Sequence, residues 1–241
     1  MRLLVLFVLF AISFGVHPAQ AEQLRPQLDD MVRHFGQVVF GDEYGLNTGE
    51  KVIAKWQGPV GVTIQGRPTK PMAKMASRRL SDLSKLTKLK FKQVKPGTPG
   101  QNIDLLFLKR QEMGLLKGQN LDQNVIRRLT ADPTMVCFFL TWKKPQNRIV
   151  KAIVVVNVER DPVQINACLL EELTQVMGLP NDVDAYWPSM FNNLDMSLSW
   201  SQWDELYLKT LYDPRIKPGM KPVDALFIAK GIFAEALANQ P

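Results

Sequence analysis

The residues that could do chemistry lie in one run, Glu171-Glu172-Leu173-Thr174-Gln175-Val176-Met177-Gly178-Leu179-Pro180-Asn181-Asp182. Its spacing is that of a zinc-binding helix. Such a helix reads His-Glu-x-x-His, two imidazoles one turn apart on one face with a glutamate that activates a metal-bound water. Here Glu171 and Gln175 stand where the imidazoles would be, and Glu172 holds the place of the general base. In the extended form a glycine lets the chain turn sharply, so that a third ligand folds back under the metal. Gly178 occupies the glycine position, and Asn181 followed by Asp182 occupies that of the third ligand. The chain contains only two histidines, His17 and His34, so no histidine triad can be assembled. Zinc prefers imidazole and thiolate, whereas this set offers oxygens, some of them from neutral amides. No cofactor is expected, zinc least of all. The set suits weak Ca²⁺ binding, or a hydrogen-bonded polar core without metal.

The motif must ride on a helix. Asp161-Pro162 supplies an N-cap followed by proline at the first helical position, and Gly178 supplies a stop, so the helix is expected from Pro162 to about Met177. At roughly 100° per residue, Ile165, Leu169, Leu173 and Val176 share an apolar face with Cys168 at its edge. Glu172 falls inside that arc, while Glu171 and Gln175 flank it one turn apart. A carboxylate on an apolar arc must be hydrogen-bonded, paired or protonated. Glu172 is therefore either a structural cap or pair beneath a loop, or an acid/base or ligand-binding group.

Around this helix the hydrophobic periodicity gives a mixed set of elements. Helical spacing covers Leu24 to Phe40, Pro71 to Leu86, Leu121 to Leu129 and Val223 to Leu237, and Ser199 with Gln202 makes a capping-box pattern for a helix through Tyr212. Strand patterns cover Val60 to Ile64, Leu89 to Val94 and Ile103 to Leu108. Two more, Met135 to Trp142 and Ile149 to Val158, flank a polar loop and make the best hairpin in the chain. Helices and strands mix without regular βαβ alternation, which favours α+β.

Residues 1–21 read as a cleaved secretory signal, with Arg2, an apolar run from Leu3 to Val16, and Ala19-Gln20-Ala21 as the small-x-small cleavage site. The mature chain, 22–241, is expected to be exported to the periplasm or beyond the cell, with no transmembrane segment. Its two cysteines, Cys137 and Cys168, are then expected to form a disulfide. The net charge is +7, with Arg78, Arg79, Lys85, Lys88, Lys90, Lys92 and Lys95 concentrating much of it. Such a stripe either holds an anionic surface or is a solvated helix and strand face. No nucleic-acid recognition module is present, and nucleic acid is not an expected partner.

From about Val52 to Met220 the order of elements resembles that of metzincin-type zincins, with Ser189-Met190 similar to the turn that underlies the metal there. Leu198 to Tyr212 is similar to the capped helix that follows that turn. The resemblance implies a zincin-like mixed sheet with a long motif helix and a helical C-terminal lobe. One domain over 22–241 would then divide into an upper lobe, 22–180, and a lower lobe, 181–241. It also puts Ile149 to Val158 in the place of the edge strand that pairs with extended peptide, although Ile153-Val154-Val155-Val156 equally suits a buried central strand. The chain is further similar to a family of exported bacterial proteins known only as a domain of unknown function, through Cys168-Leu169-Leu170-Glu171-Glu172, Gln175, Asn181-Asp182 and Phe191-Asn192.

With its zinc ligands replaced, the chain is expected to be a non-catalytic domain that binds a peptide, a protein or another cell-envelope ligand in a relict cleft. The alternative is a metal-independent hydrolase of peptide or glycan, with Glu172 as general acid/base. Trp187, Trp200 and Trp203 either stack on such a ligand or fill the core, and His34 is expected to be a helix-surface or packing residue. Oligomeric state is not legible.

Overall fold

A computed structural model describes residues 26–42, 44–45, 49–117, 121–145, 147–192 and 196–239. The expected signal segment, 1–21, lies outside the described residues. Among the described residues seven helices and five strands alternate irregularly: α1 (Leu28–Phe40), β1 (Val60–Gly66), α2 (Lys70–Thr87), β2 (Phe91–Gln93), β3 (Gln101–Leu108), α3 (Arg110–Met113), α4 (Gln123–Leu129), β4 (Cys137–Lys144), β5 (Arg148–Asn157), α5 (Pro162–Gln175), α6 (Gln202–Leu211) and α7 (Pro222–Ala238).

The strands form a single sheet in the order β2-β1-β3-β5-β4, parallel except for the last pair. This decides between the two readings of Ile149 to Val158. The segment is β5, a buried central strand between β3 and β4, and the edge position suggested by the zincin resemblance belongs to β4 instead. The physical reason is visible in β5 itself, where every residue from Ala152 to Asn157 is buried. Ala152, Val154 and Val156 face the main core under α2 and α5, while Ile153 and Val155 face a smaller core with Met113, Ile126 and Leu129 of α3 and α4. A strand covered on both faces reads as a continuous apolar run.

Local chemistry sets the helix ends. Asp161 caps α5 by accepting from the backbone amides of Val163 and Gln164, with Pro162 in the first turn. The start of α6 is set by Ser201 with Asp204 and not by Ser199 with Gln202. The Ser201 hydroxyl accepts from the Asp204 amide while the Asp204 carboxylate accepts from the Ser201 amide. A carboxylate three residues after the cap outcompetes a neutral amide because it also complements the helix dipole. Beyond the sheet, α1 packs along α7, where the Phe35 ring meets those of Tyr207 and Phe233 at 5.5 and 5.6 Å.

Cys137 at the start of β4 is bonded to Cys168 in the middle of α5. The bridge fastens the edge strand to the motif helix. With a sequence separation of 31, the chain-entropy argument gives about 3–4 kcal/mol of stabilisation. A Cys137→Ala/Cys168→Ala double variant is expected to lose that amount in urea titrations, and a loss under about 1 kcal/mol would assign the holding of β4 to packing instead.

Candidate functional site

The last turn of α5 is closed from below by the backbone. Gly178 and Leu179 donate their amides to the Gln175 carbonyl at 3.0 and 3.1 Å. Gly178 has φ +109°, and a β-carbon there would stand 2.0 Å from the Ala54 carbonyl oxygen. Only glycine accommodates both the left-handed backbone and that approach. The turn sends the chain back beneath the helix, so that Asp182 meets Gln175, whose side-chain amide donates to Asp182 Oδ1 at 2.8 Å.

Glu171 and Asp182 are hydrogen-bonded carboxyls. Two carboxyl groups can bond only when one of them carries a proton. Burial pushes the Asp182 carboxyl up to about 6, helped by the nearby Asp184 and opposed by the hydrogen bonds from Glu171 and Gln175. Glu171, Gln175 and Asp182, the positions that would ligate a metal, thus come together and bond to one another. Asn181 leaves the group and donates instead to the Gln37 carbonyl in the last turn of α1 at 3.2 Å. Zinc does not fit this set, which has one amide turned as donor toward a carboxyl pair that shares a proton. Among the described residues, no group of three or more His, Cys, Asp or Glu could hold a metal ion. Glu172, on the inner side of α5, is only 3% exposed.

Ser189 and Met190 are buried, held by a residue that the sequence did not single out. Asp204 accepts from the Ser189 hydroxyl at 2.6 Å and from the Met190 amide at 3.1 Å, and its second oxygen also serves Ser201. Its only sequence signal is a carboxylate at the third position of a helix. Lys55 was missed as well. It is buried, with its ammonium donating to the Leu211 and Ile216 carbonyls at 2.7 Å each, and burial pushes it down to about 8.

The tryptophans belong to the core. Trp187 and Trp203 are buried, and the half-buried Trp200 donates to the Thr174 hydroxyl. His34 is a packing residue, buried between the Trp187 and Tyr207 rings with Nε2 2.8 Å from the Val183 carbonyl.

A cleft remains open beside the cluster. A cavity of about 170 Å³ lies between β4 and the end of α5, with Phe139, Thr141 and Lys143 on one wall and Gln175, Gly178 and Pro180 on the other. Gly41 and Asp42, just past α1, also line it. Burial pushes the Lys143 ammonium down, and Asp42 works against that shift. Gln175 therefore joins the polar cluster to the cleft, whereas Glu172 is not among the lining residues.

Two outcomes test this geometry. A carboxyl raised from 3.8 to about 6 by folding contributes stability below pH 4 that is lost as pH rises through 6. Against Asp182→Asn, which keeps a hydrogen-bonding group without the titration, wild-type stability should fall by up to about 3 kcal/mol between pH 4 and 7. Parallel urea midpoints across that window would exclude a shared proton. Separately, Gly178→Ala should cost on the order of 3 kcal/mol in thermal unfolding, from the strained φ and the clash with Ala54; a neutral effect would mean that the turn tolerates a side chain.

No curated protein matches the chain. A family defined by sequence, however, matches it over residues 29–229, the span from α1 into the first half of α7. Since that span takes in the motif helix, the cleft and both cores, the chain belongs to DUF2927, a family of proteins of unknown function.

Proposed function

We propose that the protein is an exported, non-catalytic zincin-like domain that binds an extended peptide or cell-envelope segment along β4, in the cleft above Gln175. The observation that carries this reading is an antiparallel edge strand on an otherwise parallel sheet, with a cavity between it and the motif helix. A strand with a neighbour on one side presents backbone donors and acceptors on the other, and strand addition requires no metal. The zincin-like reading is further supported by the glycine turn, by the return of Asp182 beneath Gln175, and by the buried Ser189-Met190 segment. Export rests on the N-terminal sequence, and the disulfide agrees with it.

The hydrolase alternative asks Glu172 to touch a substrate. Its burial and its absence from the cleft wall argue against that role. A carboxylate within reach of water is needed for general acid/base work.

Panning a random peptide library over immobilised protein tests the binding reading. Enriched peptides should protect amides of residues 138–143 from hydrogen exchange and should lose at least about tenfold in affinity against Thr141→Trp, which fills the cavity. Failure to enrich any peptide, or affinity unchanged by Thr141→Trp, would sink it. Turnover of peptide or cell-wall glycan by wild type, lost in Glu172→Gln with the fold intact, would favour the hydrolase.

A further inference from the structure

The opposite edge of the sheet carries a second feature, independent of the cleft. A groove of about 440 Å³ runs between α2 and the edge strand β2, within the ~300–1,000 Å³ usual for small-molecule sites. Its floor is apolar, from Val62, Ile64, Leu80 and Phe91, and Ser81, Lys85 and Lys92 stand along it. The groove is open because α2 packs mainly on α5 and touches β2 only lightly. Arg79 fixes that lean, donating to Asn166 of α5 and to the Leu198 carbonyl while lying 5.3 Å from the Trp200 ring.

Charge along the stretch of chain that forms the groove is one-sided, although Arg67 pairs with Glu112 and Arg79 faces α5, so that Lys85 and Lys92 are the cations on the groove itself. Residues 67–95 hold ten Lys and Arg against the single acidic Asp82, a local net charge of +9 in a chain whose total is +7. The remainder of the chain is therefore slightly acidic. Asp82 is taken up by Lys85 at 2.8 Å, an exposed pair worth little in water, and Lys92 has no ion-pair partner among the described residues.

A polyanion such as nucleic acid would use the charge and leave the apolar floor empty. A neutral hydrocarbon would use the floor and gain nothing from the charge. From the two together we infer that the α2–β2 groove binds an anionic amphiphile, with its acyl chain over Val62, Ile64, Leu80 and Phe91 and its phosphate-type head at Lys85 and Lys92. The competing account is that lysines on and beside a short edge strand only deter another strand from pairing there. Glutamate would deter it equally well, so charge reversal separates the two.

The test is calorimetric titration of the purified protein with dodecyl phosphate below its micelle concentration, beside inorganic phosphate and neutral dodecyl maltoside. Dodecyl phosphate should saturate one site, with each of the other two probes weaker by about tenfold or more. Lys85→Glu/Lys92→Glu and, separately, Ser81→Trp should each weaken dodecyl phosphate by a similar factor, and all three positions are exposed, so the fold should survive. Inorganic phosphate binding as tightly would mean a purely ionic surface, and the maltoside binding as tightly would remove the anion requirement. Either result, or unchanged affinity in Ser81→Trp, overturns the proposal, and none of them bears on the cleft at β4.

Discussion

The structure depends on how the end of α5 is seated against residues 52–56. Gly178 lies against the Ala54 carbonyl. The Trp56 indole donates to the Val176 carbonyl at 2.8 Å, and the Tyr212 hydroxyl donates to that of Met177 at the same distance. The last carbonyls of a helix have no partner within it, and here side chains from two distant segments supply them. Lys55 does the same for α6, taking the Leu211 carbonyl together with Ile216, while Ile53 exchanges backbone hydrogen bonds with Gly219 and Met220. One short stretch thus closes two helices and a loop, and it holds one side of the cleft at a fixed distance from β4.

The polar cluster is a consequence of that seating. Once Gly178 turns the chain, Asp182 must come to rest near the residues one turn apart on α5, and the question becomes what a buried amide and two half-buried carboxyls do with one another. Imidazoles there would converge on a cation. Glu171, Gln175 and Asp182 can be satisfied from within, provided a proton stays on the carboxyl pair. Polar groups bonded to one another away from water fix the geometry around them, and through Gln175 this cluster reaches the wall of the cleft.

Much of this was legible in the sequence because it is local. The cap at Asp161, the stop at Gly178 and the placement of Glu172 on the buried arc follow from spacing along one helix, and the hairpin of β4 and β5 follows from two strand patterns around a short polar loop. What was not legible is non-local. Nothing in Asn181-Asp182 says which side chain turns inward, since the choice depends on α1 lying close enough to offer the Gln37 carbonyl. The position of β5 inside the sheet depends on α3 and α4 covering its far face. Lys55 is invisible because an isolated lysine is ordinarily exposed, and only the carbonyl ends of α6 and its following loop make a buried one tolerable.

The sheet places its two edges in different surroundings. At β4 the strand is long, covalently tied to α5 and faced by a cavity with an amide and a glycine turn on its far wall. At β2 the strand has three residues, too few for strand addition to give much affinity, and the groove beside it is apolar below and basic around. The charge leans the same way, because residues 67–95, which include α2 and β2, carry a net +9 and the remainder of the chain is slightly acidic. An anionic surface would therefore be drawn to one edge and leave the other open, so that a chain held at β2 could still present β4 to a second ligand. Neither proposed role would need a reaction, and the cluster of Glu171, Gln175 and Asp182 would then serve to hold the α5 side of the cleft.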